Sequence, residues 1–413
     1  MSDNQLLIIT PNWPAPNYSA AGVRLMQLVE FFKKENYRVT IASTAENSMV
    51  KESDFDGIER VSIRLNHSSF DEFVSKLGPD LVLFDRFMTE EQFGWRVAQH
   101  VPNAVLILDT EDLHSLRDSR ERALKEKIDF SKKLWLENDM TKREVASIYR
   151  SDLSLIISSY EMKLLTEATN VCEALLLHLP FMVDQQDASV MEEWTSFEDR
   201  KDFVFIGFGG HAPNIDAISY LNTTVWPLVR AALPEANLNI YGGNLPKKVY
   251  QMHNPEAGLL IKGWVEDAKK VIGAARVMLA PLRFGAGLKG KLVDAMRYGT
   301  PSVTTSIGAE GMHDALEWNG IVCDDAKSLA IAAIESYQNE MAWKSYQKNG
   351  LQILKQLYEK ERHEKRLKAT LTQLQEKLSE HREKNFIGTM LRHQSLQSTK
   401  YLSKWIAEKN RNK

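Results

Sequence analysis

At 413 residues the chain is too long for one ordinary core, and about 150 residues per domain divides it into two to three. Its 43% hydrophobic and 26% charged residues describe a folded chain, and 52 Lys/Arg against 55 Asp/Glu, net −3, gives no global pull toward nucleic acid. Cys172 and Cys323 are the only cysteines, which excludes a disulfide framework and a cysteine-built metal site and suits a reducing compartment.

The opening apolar run, Leu6–Thr10, is too short for a signal-peptide core and follows acidic Asp3. With no stretch of about 18 apolar residues, the expected location is the cytoplasm. Leu6–Thr10 reads as a buried strand and Ala20–Lys34 as an amphipathic helix. Arg38–Ala42, Asp80–Asp85, Ala104–Asp109 and Leu153–Ser158 read as further strands. Continuous apolar runs between helical patterns predict strands buried on both faces of a parallel sheet. Residues 184–201 are acidic and aperiodic and read as a linker between a first domain, 1–183, and a second, 202–345. A new series follows, with strands Phe203–Gly207, Leu238–Gly242, Leu259–Ile261, Val277–Leu282 and Ser302–Thr305. Helices Asn214–Leu233 and Leu292–Arg297 fit between them. The fold class is therefore α/β: two doubly wound α/β domains of similar size with a cleft between them, and a helical, basic extension over 346–413.

In that extension Leu367, Leu371, Leu374 and Leu378 form a short stripe, read as a helix packed back on its own protein rather than a dimer seam. Residues 361–413 hold thirteen Lys/Arg and six Asp/Glu, net +7, with Phe386, Tyr401 and Trp405 among them. An acidic partner, a peripheral contact with an anionic membrane surface, or a solvated tail all suit that composition.

The chemistry concentrates in Arg276–Ser306. A buried strand runs into Gly285, Gly287, Lys289, Gly290 and Lys291, and then into a helix that stops at Gly299. Glycines let backbone N–H groups approach an anion beside a helix N-terminus, and the two lysines add charge at the carboxyl end of a strand, where open α/β sheets bind ligands. A diphosphate is the natural occupant. The Walker A spacing fails at Leu292, where a metal-binding hydroxyl would stand, which argues against an NTPase. A second glycine pattern, Gly207–Ala212, runs straight into Pro213. No acidic residue ends the following strand to hold an NAD ribose, so it reads as a loop at the cleft. Asp294, one turn into the helix, either accepts ribose hydroxyls or complements the helix dipole.

Taken in order, Phe205–Gly207, Pro213–Asp216, Trp226–Pro227, Ile240–Gly242, Lys262–Asp267, Ala280–Lys291, Asp294–Met296, Gly299–Pro301 and Gly308–Gly311 resemble the GT-B glycosyltransferases of the retaining family 4 type, glycosyl transferases group 1. The likeness is dense over Phe203–Asp325. It is looser in the first half, through Pro11–Gly22, Ser151–Leu153 and Ser158–Glu161. The resemblance implies a GT-B fold of two Rossmann-like domains facing a cleft, with a nucleotide-sugar donor held mainly by the second and an acceptor held mainly by the first. The family's paired glutamates fall on Ala286 and Asp294 here, and its Arg and Lys after the first strand of the second domain are missing around Phe208 and His211. Lys289 and Lys291 are expected to take over that charge, and Glu310 the lost sugar contact.

The expected donor-binding set is Gly22, Gly209, His211, Gly285, Gly287, Lys289, Lys291, Asp294 and Glu310. Gly22 lets the diphosphate approach the first helix. Expected catalytic residues are Lys289 at the departing phosphate, Asp109 or His114 at the sugar, and Asp112 to take the acceptor proton or orient His114. Capping by Asp112 and surface pairs to Arg117, Arg120 and Arg122 are the plainer reading of that cluster. Asp85–Arg86 is a further cleft candidate. The expected activity is a retaining hexosyltransferase that needs no cofactor or metal and acts on a glycan or lipid-linked acceptor, with no nucleic-acid partner. The alternatives are a GT-B-like sugar-nucleotide epimerase or phosphorylase, or a non-catalytic nucleotide-sugar-binding scaffold.

Overall fold

In a computed structural model, which describes residues 4–15, 19–46, 55–185, 189–393, 401–402 and 405–406, the apolar runs become the central strands of two parallel sheets. The first comprises β1 (Asn4–Thr10), β2 (Tyr37–Ser43), β3 (Glu59–Ser62), β4 (Leu81–Asp85), β5 (Val105–Asp109), β6 (Leu153–Ile156) and β7 (Leu176–His178). Their order is β3-β2-β1-β4-β5-β6-β7, with Leu6 opposite Val39 on one side and Leu81 on the other. The second sheet comprises β8 (Lys201–Ile206), β9 (Leu238–Tyr241), β10 (Leu259–Gly263), β11 (Ala275–Ala280), β12 (Ser302–Thr304) and β13 (Gly320–Val322) in the order β10-β9-β8-β11-β12-β13. In each sheet the winding reverses beside the first strand, between β1 and β4 and between β8 and β11, and a crevice opens there at the carboxyl ends.

The sequence pattern misses β3, β7 and β13. They are three or four residues long, all three stand at sheet edges, and none has the fully buried run that marks a central strand. The predicted helix 214–233 begins earlier, at Ala212. It passes through a π turn at Leu221–Val225 that accommodates Pro227, which has no N–H to give the helix Trp226–Ala232. The acidic segment read as a linker is seated on the second domain. The Trp194 ring lies over Gly299, and buried Arg200 donates to Thr300 Oγ1 at 2.7 Å and Tyr298 O at 2.9 Å. Its residues 186–188 lie outside the described ones.

The helix Glu340–Leu357 runs through the expected boundary at 345 and stays on the second domain, where Gln347 donates to Gly299 O at 2.7 Å. The chain crosses back at Tyr358–Glu359, pairing with Val183 (Val183 N to Tyr358 O 2.8 Å, Lys360 N to Val183 O 2.9 Å). The helix Lys360–Glu376 then buries Leu367, Leu371 and Leu374 in one core of the first domain, with Leu28 and Phe32. Ion pairs Lys34–Glu364 and Lys368–Glu35, both 2.6 Å, flank that seam. The leucine stripe is an intramolecular seam, as expected. Arg382 and Arg392 reach buried Asp152 at 2.6 and 3.1 Å and anchor the last helices under the first sheet. Among the described residues no helix is long and apolar enough to cross a membrane.

Candidate functional site

The glycine–lysine loop occupies the β8/β11 switch point. After β11 the chain turns into the cleft at Pro281–Lys289 and enters the helix Gly290–Arg297. Gly287 sits in the left-handed region, at φ 60°, where a side chain would be strained. Lys289 is buried, and its Nζ folds back to donate to Gly287 O at 2.8 Å. Lys291 Nζ donates to Asn214 Oδ1 at 2.5 Å and stands 4.3 Å from the centre of the Phe205 ring. Neither amine has a carboxylate within ion-pair distance among the described residues. Burial pushes Lys289 down to about 8, against the pull of Glu310. Burial also pushes Lys291 down to about 7, and the charge of Lys289 adds to that effect. Arg283 is drawn away from this group by Asp216, at 2.5 Å.

The first domain closes on the same loop. Arg120 donates to Gly285 O at 2.9 Å and grips both oxygens of Glu310 at 2.7 and 2.8 Å, its guanidinium lying over Phe130 and Tyr160. Gly287 N donates to Glu161 Oε1 at 2.8 Å, which also accepts from Leu113 N at 3.0 Å. A Cβ on Gly287 would lie 2.7 Å from Asp112 Cβ, and one on Gly290 2.7 Å from Ala20 Cβ. These glycines therefore serve the approach of the other domain as well as any ligand.

Asp112, His114, His211, Glu161, Glu310, Lys289 and Lys291 thus share one electrostatic neighbourhood across the cleft. Burial opposes the charge of Asp112, yet Arg117, with His114 and His211, holds its carboxyl below the usual range. His114 Nε2 lies 3.4 Å from Asp112 Oδ1. Burial takes both His114 and His211 down to about 4, so their rings are neutral at pH 7. The Asp112–Arg117 pair fits the plainer reading of the cluster too, while Arg122 turns to Glu126 at the surface.

Three expected positions do different work. Asp109 is 1% exposed and is bound through both oxygens by Arg24 (2.8–3.0 Å), which also donates to Leu179 O at 2.7 Å; the carboxylate is sealed beneath the strand ends instead of facing a sugar. Gly22 N donates to Ser19 Oγ at 3.1 Å, and a Cβ there would lie 2.5 Å from the Ala15 carbonyl, so its glycine is required by its own loop. Gly209 has no Cβ because the Asn244–Leu245 backbone fills that space. Asp294 lies in the helix Gly290–Arg297, 3.3 Å from Arg297, and leaves both of its readings open.

Sequence reasoning used Glu161 only within the Ser158–Glu161 likeness, with no site role, and passed over Glu144. Glu161 Oε2 is buried without a partner, and burial, with Asp112 adding, lifts this carboxyl to about 7. Glu144 accepts from His114 N and Ser115 N at 2.7 and 2.9 Å, capping the helix His114–Glu126 from outside, and burial lifts it to about 8. The available signal for Glu161 was an acidic residue one turn into the helix after β6. Arg86 and Glu111 pair at 2.7 Å with φ of 74° and 57°, two non-glycine residues held left-handed at the ends of β4 and β5.

Residues 200–339 match the sequence model of the family described as Glycosyl transferases group 1. No curated protein matches the chain. Among solved structures, a sucrose-phosphate synthase from Thermosynechococcus elongatus aligns at 17% identity and TM-score 0.68, covering 90% of this chain and 99% of the other. HepE of Anabaena, solved in complex with UDP-glucose, aligns at 13% identity and TM-score 0.64 over 90% of this chain and 100% of the other. WaaG, a glycosyltransferase involved in lipopolysaccharide biosynthesis, aligns at 10% and 0.58 over 88% and 98%. The structural likenesses establish the GT-B fold, and residues 200–339 of the second domain are similar in sequence to the group 1 glycosyl transferases.

Proposed function

We propose that the chain is a retaining, metal-independent hexosyltransferase that moves a sugar from a nucleoside diphosphate donor to a glycan or lipid-linked saccharide. The observation that carries this reading is the pair Lys289–Lys291: two amines without carboxylate partners among the described residues, the first buried and the second half-buried, at the switch point of a domain similar to group 1 glycosyl transferases. A diphosphate placed there would restore their full charge. Negative charge grows on the departing phosphate as the anomeric C–O bond breaks and the acceptor oxygen bonds to the same carbon, and preorganised cations favour that state most. In a retaining transfer the departing phosphate oxygen is also placed to take the acceptor's proton. Neutral His114, oriented by Asp112, is positioned to hydrogen-bond the sugar, and Glu310, fixed by Arg120, to hold its far side. The UDP-glucose and UDP held in the HepE complexes make uridine sugars the first to try.

The test is a thermal-shift and hydrolysis screen with UDP-, GDP-, dTDP- and CMP-sugars, with and without EDTA. One donor should stabilise the protein by about 2.7 kcal/mol at 100 times its Kd, and EDTA should leave turnover intact. Failure of every donor to bind or be hydrolysed would overturn the reading. We also propose a peripheral contact with anionic membrane through the C-terminal extension. Phe386 is 73% exposed and Met390 57%, and Tyr401 and Trp405 are exposed in a segment of net +7; the rest of 394–413 lies outside the described residues. Sedimentation with phosphatidylglycerol vesicles, lost on truncation at residue 385, checks it.

A further inference from the structure

Behind Glu310, where the chain crosses between domains, lies a cavity of about 310 Å³ that none of the donor chemistry uses. Ser159 and His178 line it from the first domain, Asp314 from the second, and Arg362, His363 and Arg366 from the crossover. Arg362 and Arg366 stand four apart on one face of the helix Lys360–Glu376, and among the described residues neither forms an ion pair. Arg362 occupies the first turn, where the helix's own dipole is already positive, an unfavourable place for a cation. Lys360, in the same turn, is balanced by Asp184 and Glu30 at 3.4 and 3.5 Å.

Two imidazoles complete the wall. His363 is 3% exposed; its Nε2 lies 2.7 Å from the Leu357 carbonyl, so that nitrogen carries the proton and Nδ1 is a bare acceptor, buried and unpartnered. His178 Nε2 is likewise buried without a partner. The single carboxylate in the lining, Asp314, accepts from Ser159 Oγ at 3.0 Å and keeps further acceptor capacity. Two guanidinium groups call for a phosphate, while a carboxylate with spare acceptor capacity calls for a hydroxyl donor.

From this lining we infer that the crossover cavity is a second ligand site, for a hydroxyl-rich phosphomonoester of sugar-phosphate size. Its residues come from both domains and the crossing segment, so an occupant bridges the domains at their hinge. The site is independent of Lys289 and Lys291, and the inference stands or falls apart from the donor reading.

The full chain is titrated with glucose 6-phosphate, inorganic phosphate and glucose at matched ionic strength. Glucose 6-phosphate should raise Tm by about 2–4 °C at saturation and bind at least tenfold tighter than phosphate or glucose alone. The response should persist in Lys291→Met and vanish in Arg362→Ala/Arg366→Ala, which should keep its nucleotide-sugar response. Because both arginines are exposed, the double variant should fold; hydrogen-exchange protection of 356–366 on adding glucose 6-phosphate gives a second readout on wild type. Equal binding of all three probes, a response retained without the arginines, or one lost with Lys291→Met would overturn the inference.

Discussion

The two walls of the cleft hold buried charge in opposite ways. On the first-domain side each cation has its carboxylate: Arg24 with Asp109, Arg86 with Glu111, Arg117 with Asp112, and Arg120 reaching across to Glu310. On the second-domain side Lys289 and Lys291 rest on neutral oxygens, a carbonyl and an amide, and their pKa values fall accordingly. A buried ion pair fixes geometry and is complete in itself. A buried amine without a counter-charge is an unfinished site, and the chemistry that finishes it is an anion. Acidic side chains alone would have pointed to the first wall as the catalytic one; the state of the charges makes it a framework and supports the proposal that phosphate binds at the second.

The largest effect expected from this contrast is on stability. Asp109→Ala leaves the Arg24 guanidinium buried with backbone carbonyls alone and should cost about 3–5 kcal/mol in urea unfolding, with Asp109→Asn costing less. Lys291→Met should do the reverse. It removes a cation the empty fold disfavours, so unfolding should be unchanged or slightly harder, while turnover falls about 10²–10³-fold, as for loss of one oxyanion donor. Lys289→Ala should match it in turnover. If Asp109→Ala is tolerated and Lys291→Met unfolds the protein, the assignment of the two walls is reversed.

The pH dependence sharpens the same distinction. Below pH 7 both lysines are protonated in the empty protein, and donor affinity should be flat with respect to them. Above about 7 for Lys291 and 8 for Lys289, binding must take up a proton per lysine, so affinity falls as pH rises, by up to tenfold per unit per group. Lys291→Arg, which stays charged, should remove the step that begins near 7 and leave the one near 8. Donor Kd measured from pH 6 to 9.5 decides this.

What was legible beforehand follows from range along the chain. The central strands announce themselves as unbroken apolar runs such as Leu81–Phe84 and Val277–Ala280, each buried throughout. The loop Gly285–Lys291 carries its chemistry in seven consecutive residues. The pairings that finish the site do not: Gly287 meets Glu161 across 126 positions, Arg120 meets Glu310 across 190 and Arg24 meets Asp109 across 85. Asp109 looked catalytic because a carboxylate at a strand's end usually faces the crevice. Only the fold shows that Arg24 lies over it.

The smallest expected effect tests whether the walls move independently. Gly287→Ala places a methyl 2.7 Å from Asp112 Cβ and 3.3 Å from Ile157 Cγ2, both across the cleft, at a φ of 60° that costs an L-residue roughly 1–2 kcal/mol. Nothing within its own domain stands as close, so part of the strain is relieved by opening the cleft without unfolding either sheet. The expectation is a loss of about tenfold in kcat/KM, equivalent to about 1.4 kcal/mol, with faster hydrogen exchange at 283–290 and a larger radius of gyration in solution scattering. Gly290→Ala, pressing on Ala20 Cβ at the same 2.7 Å with no left-handed strain, should open the cleft with a smaller stability cost. If either variant keeps the closed radius and loses stability outright, the two domains behave as one rigid unit, and the paired wall holds the lysine loop in place whether or not a donor is bound.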